Sequence, residues 1–317
     1  MPLGAMKTDK TTLLRYLAVV LMLVVIAAIA ELTGQHEVIF PEAGALCVGL
    51  WLMPKGVWNV RSWQIPLLLT VAATIGLIIN LLLPIGFELR FLLAFIIVML
   101  LLRTLRCNMY PVVSAAMLPV LINTTSWVYP TSVLVISLVL ILVRKMLPQS
   151  ERTDYHPFSI TQMVRLSLVL IVPLLVTHLT QSTTLRFAIV PPLVVTMIEF
   201  ANRQSGFRKR PWSIWMLIVA ASGIGVAVEL LLHRTWHLPM ALGILIASVL
   251  MLMLFRHFKP FAPALAITMV PLLLPNEVLL WFPLLTAVGS GWFIAMGVLL
   301  NQQDVAERRA TRSRKKT

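Results

Sequence analysis

Four prolines open short apolar stretches of this chain, and the residues around them are the ones whose types and spacing could do chemistry: Pro41-Glu42-Ala43-Gly44, Pro111-Val112, Pro191-Pro192 and Pro263-Ala264. Each stretch runs for only about a dozen residues. At about 1.5 Å of rise per residue, such a helix covers roughly 20 Å, against roughly 30 Å of bilayer hydrocarbon. It must join extended backbone buried within protein, because peptide groups bare in lipid are unsatisfied. Proline suits the first helical position, where the N–H has no intrahelical partner. A helix N-terminus at membrane depth presents free N–H groups and partial positive charge. The four starts are therefore expected to line one site through backbone N–H groups, where a small anion can sit. Thr33 and Thr183, placed before the first and third starts, are caps by residue type and secondary candidates for the lining.

The ionisable residues inside apolar runs come next. Glu42, in a first turn, complements the helix dipole, and an acid at depth is also a candidate proton carrier. Asn80 and Glu229 join it as candidate coupling groups, although Glu229 also stands four residues before His233, the spacing of a local helical pair. Glu199 and Arg203 share that spacing and read as an interfacial ion pair. Glu31, His36 and Glu37 gather before Pro41 as a solvated loop or, on a sharper reading, an acidic vestibule that would favour cations. His178, alone in an apolar run, reads as a packed, hydrogen-bonded residue. Gly44, Gly76, Gly223, Gly225, Gly289 and Gly291 suit close helix contact. Trp51, Trp58, Trp63, Trp127, Trp212, Trp215, Trp236 and Trp281 fall near expected helix ends, as an interfacial belt does.

Enzyme chemistry has little to build on. Asp154, His156 and Ser159 lie together only in a polar linker, and the chain has no H-E-x-x-H, nucleophile elbow or phosphate-binding glycine loop. No cofactor or metal site is expected. Cys47 and Cys107 give neither a disulfide framework nor metal spacing and read as packing residues.

These residues must be positioned by a lipid-embedded helical scaffold. The chain is 59% hydrophobic and only 12% charged, far below the charge content of a soluble domain. Long apolar runs recur from residue 16 to residue 300. With the N-terminus inside and alternate crossings, all but Arg90, Arg186 and Arg234 of the 26 lysines and arginines fall on one side, the positive-inside asymmetry. The net charge of +14 is thus explained by topology, without nucleic acid. The expectation is a multi-pass protein of the cytoplasmic membrane with both termini inside and a basic tail on anionic headgroups. The first apolar run resembles a signal peptide ending in Ala28-Ile29-Ala30, but its counterpart near residue 166 sits where cleavage has no meaning, so it is read as an uncleaved helix.

The two halves align at a shift of about 150 residues: Arg15 on Arg165, Pro41 on Pro191, Gly76 on Gly225, and "YPVVSAAMLPVL" on "APALAITMVPLL". The expected fold is an all-α polytopic protein of two parallel repeats, residues 1–147 and 163–301, with a linker at 148–162 and a tail at 302–317. Each half reads as six segments: 13–31, 41–53, 64–83, 89–105, 111–122 and 127–147, then 163–181, 191–202, 212–232, 238–256, 262–274 and 277–300. An even number per half gives both the same orientation, about an axis along the membrane normal.

Each half resembles the HPP family of integral membrane proteins, in which His-Pro-Pro and a later proline mark a short helix. The His-Pro-Pro positions read Met109-Tyr110-Pro111 and Phe261-Ala262-Pro263, and the later proline stands eight residues on as Pro119 and Pro271. The histidine is replaced in both copies. Some members of the family are linked to nitrite transport, so the resemblance implies transport of a small anion. The functional expectation is a transporter or channel for a small solute, favouring a nitrite-like anion or small carboxylate, passive or coupled to an ion gradient. The competing expectation is a non-transporting membrane scaffold or partner subunit. Oligomeric state has no signature in the sequence.

Overall fold

A computed structural model describes residues 10–53, 58–146 and 158–314, with side chains as far as Gln303. Most of the expected linker and the basic side chains of the tail lie outside the described residues. The described secondary structure is helical throughout. In chain order the helices are α1 (Lys10–Thr33), α2 (Glu42–Cys47), α3 (Gln64–Leu82), α4 (Phe87–Thr104), α5 (Pro111–Leu121), α6 (Val128–Met146), α7 (Ile160–Thr180), α8 (Pro191–Ala201), α9 (Pro211–Ala227), α10 (Met240–His257), α11 (Ala262–Met269), α12 (Asn276–Leu279) and α13 (Phe282–Arg314). π-Helical turns extend α2 over Val48–Leu52 and α9 over Val228–Thr235, and a 3₁₀ turn extends α11 over Val270–Leu273.

Among the described residues, eight helical stretches are long and apolar enough to cross a membrane: α1, α3, α6, α7, Thr184–Ala201, Pro211–Thr235, α10 and Phe282–Gln303. The chain is a multi-pass membrane protein by that measure. α4 has 18 residues but carries Glu88, Arg90 and Arg103. Two expectations need correction. α8 is preceded by a 3₁₀ segment, Thr184–Ile189, so its lead-in is wound rather than extended. The last expected segment is interrupted before Phe282, where Pro283 occupies the first turn of α13, leaving α12 as a separate short turn.

The long helices are apolar all round, as helices between a protein core and lipid must be. On α1, Val19, Leu23, Ile26, Ala27 and Ala30 face inward, while Leu13, Leu17, Leu21, Val25 and Ile29 stay exposed. The short helices differ. Every residue of α2, α5, α8 and α11 is buried. α2 lies along α11, α5 lies along α8, and the long helices surround them, with α1 against α10 and α4 against α7.

Two prolines in this core carry a backbone problem, each solved differently. Pro119 cannot donate to the Ala115 carbonyl one turn back, and the buried Tyr129 hydroxyl donates to that carbonyl instead, at 3.1 Å. Pro271 cannot donate to Ile267. There the helix tightens, and the Val270 N–H takes the Ile267 carbonyl. Both prolines pack against a glycine. A Cβ at Gly76 would collide with the Ala116 carbonyl and crowd the Pro119 ring, and one at Gly225 would collide with the Thr268 carbonyl and crowd the Pro271 ring. Gly289 meets the Ala188 carbonyl in the same way, whereas Gly223 has nothing within 4 Å and Gly291 makes only an ordinary contact. The expected glycine contacts therefore hold at some positions and not at Gly223 or Gly291.

The tryptophan belt is also partial. Trp63, Trp127, Trp212, Trp236 and Trp281 are exposed, but Trp51 and Trp58 are buried, and Trp58 packs against Gly49. Overpacking a tight helix contact costs about 1–3 kcal/mol. Gly225→Ala is therefore expected to lower the melting temperature in detergent, while Gly223→Ala leaves it unchanged or raises it slightly through helix propensity. Thermal unfolding of the two variants side by side checks this.

Candidate functional site

The first turns of the four buried helices meet around one small cavity. Its lining is Glu42 and Ala45 from α2, Pro111 and Ser114 from α5, Pro192 and Val195 from α8, and Pro263 and Ala266 from α11. Each helix contributes a residue and the one three positions on, the pair that shares a helical face. The cavity measures about 10 Å³, room for about one water molecule. Of the expected site residues, Glu42, Pro111, Pro192 and Pro263 reach it. Pro41, Ala43, Gly44, Val112, Pro191 and Ala264 stand beside lining residues in the chain but are not part of the lining. Gly44, for example, sits where α2 meets the Leu265 backbone, 3.1 Å from the place a Cβ would occupy. Ala45, Ser114, Val195 and Ala266 were missed. The signal that could have found them is the i, i+3 spacing from each proline-marked start.

Glu42 and Ser114 are the two polar side chains in this lining. Glu42 is 1% exposed. Its Oε1 accepts a hydrogen bond from the Ser114 hydroxyl, and its Oε2 has no hydrogen-bond partner. Among the described residues no lysine, arginine or histidine pairs with it. Tyr129, on α6, lies close enough to feel its charge and stacks edge-on against Phe40, with ring centroids 6.1 Å apart.

The expectation that free N–H groups line the site is corrected by the backbone. Ala43 donates to Phe40, Gly44 to Pro41, Val112 to Met109, Val113 to Tyr110, Leu193 to Val190 and Ala264 to Phe261, at 2.8–3.2 Å. Each helix opens with tight bonds to the carbonyl three residues back, which satisfies amides that water cannot reach. The dipoles of the helices remain, with positive ends toward the cavity.

Thr33 and Thr183 lie away from it. Thr33 closes α1, its hydroxyl donating back to Ile29 at 2.6 Å, because Gly34, with φ at +66°, ends that helix. Thr183 is exposed and makes no side-chain cap bond. Neither Asn80 nor Glu229 lines the cavity. Asn80 donates to the carbonyls of Pro119 and Thr124 at 2.7 and 3.0 Å and accepts from Arg90 at 3.1 Å. Glu229 pairs with Arg234 at 2.8 Å, and Arg234 also reaches the Leu274 carbonyl. The expected Glu229–His233 pair fails because this segment is π-helical, which brings residue i+5 rather than i+4 alongside. The His233 ring nitrogen Nδ1 instead lies 3.1 Å from the Leu238 carbonyl.

The other pairings are also reassigned. Glu199 has no ion pair with Arg203, since α8 ends at Ala201 and Asn202 is extended. Glu199 is buried, with Trp58 as its polar neighbour. His178 is exposed and stands 3.7 Å from Glu88. Of the residues before Pro41, Glu31 and His36 are exposed, as a solvated loop requires, and Glu31 also accepts from the Met240 N–H at 2.9 Å; Glu37 is half-buried and accepts from the Thr124 hydroxyl. Both cysteines are buried and free.

Comparison of the chain with protein-family models, with curated proteins and with solved structures gives no match. The functional reading therefore rests on the geometry of the cavity and its surroundings.

Glu229 is 4% exposed in its pair and Arg234 is 27% exposed. Removing one partner of a fully buried pair costs about 3–5 kcal/mol, and partial exposure reduces that. Arg234→Gln is expected to destabilise the protein by about 2 kcal/mol in denaturant titrations in detergent. The Glu229→Gln/Arg234→Gln double variant is expected to lose less, because it leaves no buried charge alone.

Proposed function

We propose that this chain is a transporter or channel for a small solute, favouring a small anion such as nitrite or a small carboxylate, with the path passing through the cavity between α2, α5, α8 and α11. The observation that carries the reading is the convergence of four helix starts on one buried point. Long-range attraction for negative charge survives the engaged amides, because the peptide dipoles still add along each helix. A cation site in a membrane protein is more often built from helix C-termini and unwound carbonyls. The resemblance to the HPP family, carried by Pro111 with Pro119 and Pro263 with Pro271, points the same way. With no ATP-binding motif in the sequence, movement is passive or coupled to an ion gradient, and Glu42 is the candidate coupling group that faces the cavity.

In this reading the fold is two parallel repeats about an axis along the membrane normal. Reciprocal packing supports it: α2 against α11 is matched by α8 against α5, and α1 against α10 by α7 against α4. The Gly76–Pro119 contact is likewise matched by Gly225–Pro271. The membrane is a cytoplasmic one, the basic end of the bundle faces the cytoplasm with both termini, and the tail lies on anionic headgroups. Single cysteines introduced at Arg61 and Asn123 check that orientation: in intact cells an impermeant thiol reagent is expected to label position 123 and spare position 61.

The competing reading, a non-transporting scaffold or partner subunit, is favoured by the size of the cavity. Space for about one water is too little for a substrate without movement of the walls. Purified protein in liposomes separates the two. Flux of nitrite, formate or acetate above protein-free vesicles, lost on Ala266→Leu in a variant that still elutes as folded protein, is the expected result. Absence of flux for these anions and for alkali cations leaves the scaffold.

A further inference from the structure

Resting on the transport reading, we infer that the Glu42 carboxylate is a tethered occupant of the anion site, so that an anion enters only as Glu42 takes up a proton, and the two cross together. The geometry behind this is specific. Glu42 is the one acid in a lining whose only other polar side chain is Ser114, buried to 1% exposure, with one oxygen on the Ser114 hydroxyl and the other unpartnered. An isolated buried carboxylate is expensive unless something favours the charge. Here the favouring groups are the Ser114 hydroxyl and the positive ends of α5, α8 and α11, the same groups that would hold a small oxyanion.

α1, which packs against α2, buries Leu23, Ile26, Ala27 and Ala30 and no charged residue. α5 presents Ser114, α6 presents Tyr129, whose hydroxyl is engaged with Ala115, α8 presents Pro192 and Val195, and α11 presents Pro263 and Ala266. None supplies a cation that could hold two negative charges at once. A second anion about 4 Å from an ionised Glu42 would bind on the order of a thousandfold more weakly at an effective dielectric of 20. Protonation removes that repulsion, and the cavity, with room for about one water, requires the side chain to yield the space. A neutral Glu42 can do so as an O–H donor that follows the anion or turns aside from Ser114. The balance is simple: one proton onto Glu42, one anion onto Ser114 and the helix ends, and no net charge moved. The position matching Glu42 in the second half is Pro192, so each cycle has one such acid and one proton per anion.

The test uses the full-length protein in liposomes, with nitrate and nitrite as probes. Nitrate has no neutral form able to leak through lipid at these pH values. The expected result for the wild type is uptake that accelerates at least tenfold when the outside is made two pH units more acidic, with one proton entering per anion and no response to an imposed membrane potential. Glu42→Gln, which removes the titrating group, is expected to lose the pH drive, and the anion flux it still carries is expected to respond to an imposed potential. A measurement that needs no variant accompanies it: nitrite binding to wild-type protein in detergent should take up one proton per site, with an infrared carboxylic-acid band appearing on binding. Wild-type flux that follows only the anion gradient and the voltage, or binding without proton uptake, overturns the inference and leaves the transport reading standing. No flux of either anion overturns both. Alkali-cation flux abolished by Glu42→Gln would make Glu42 a cation ligand and overturns it as well.

Discussion

A peptide group inside a bilayer has no water to bond, and the arrangement of this protein follows from that constraint. Helices of full length satisfy it by themselves and can face lipid, which is why α1, apolar on its outer and inner sides alike, needs no polar stripe. Helices of half length cannot. α2, α5 and α11 leave chain to either side that must run through the membrane region as something other than continuous helix, and α8 reaches crossing length only with its 3₁₀ lead-in, Thr184–Ile189. All four are accordingly enclosed, with no exposed residue in any of them. Enclosure has a further effect: it collects broken helix ends in the interior, where dipoles and acids act at low dielectric.

The site is a by-product of that enclosure. Four helix starts that must be kept from lipid end up beside one another, and the cavity is what their first turns do not fill. Because the chain has to satisfy its own amides there, each start is tightened by bonds to the carbonyl three residues back. Those bonds are poorer in geometry than full α-helical ones, so the ends are settled without being locked. The acid at the centre and the absence of a paired base follow the same economy: a single hydroxyl and aligned peptide dipoles support the charge.

Much of this was legible in the sequence. Helix positions follow from the apolar runs, and the four short helices from prolines set too close to the next polar boundary. Their common destination could be argued from the bilayer thickness alone. What could not be read is which side of each short helix meets the cavity. With apolar residues all round, no amphipathic stripe distinguishes Ser114 from Val112 or Ala45 from Ala43. Local winding was equally hidden. Nothing in the composition of Thr184–Ile189 says that it coils, and nothing at Val228–Thr235 announces the wider π turn that gives Glu229 to Arg234 instead of His233. Spacing rules for ion pairs assume an uninterrupted α-helix, and they failed where the helix widened, at Glu229, or stopped, at Glu199.

Pro119 in α5 and Pro271 in the turn that extends α11 leave these two helices mechanically unlike. At Pro119 the orphaned Ala115 carbonyl is served by a phenol from α6; at Pro271 the chain serves itself by coiling more tightly. A bond lent by a neighbour can be withdrawn when that neighbour shifts, without any change in the fold of α5. A bond made by winding can be released only by unwinding. α5 is thus tied to α6 one turn before Pro119, so that any displacement of α6 is felt there, whereas α11 answers at Pro271 only to its own winding.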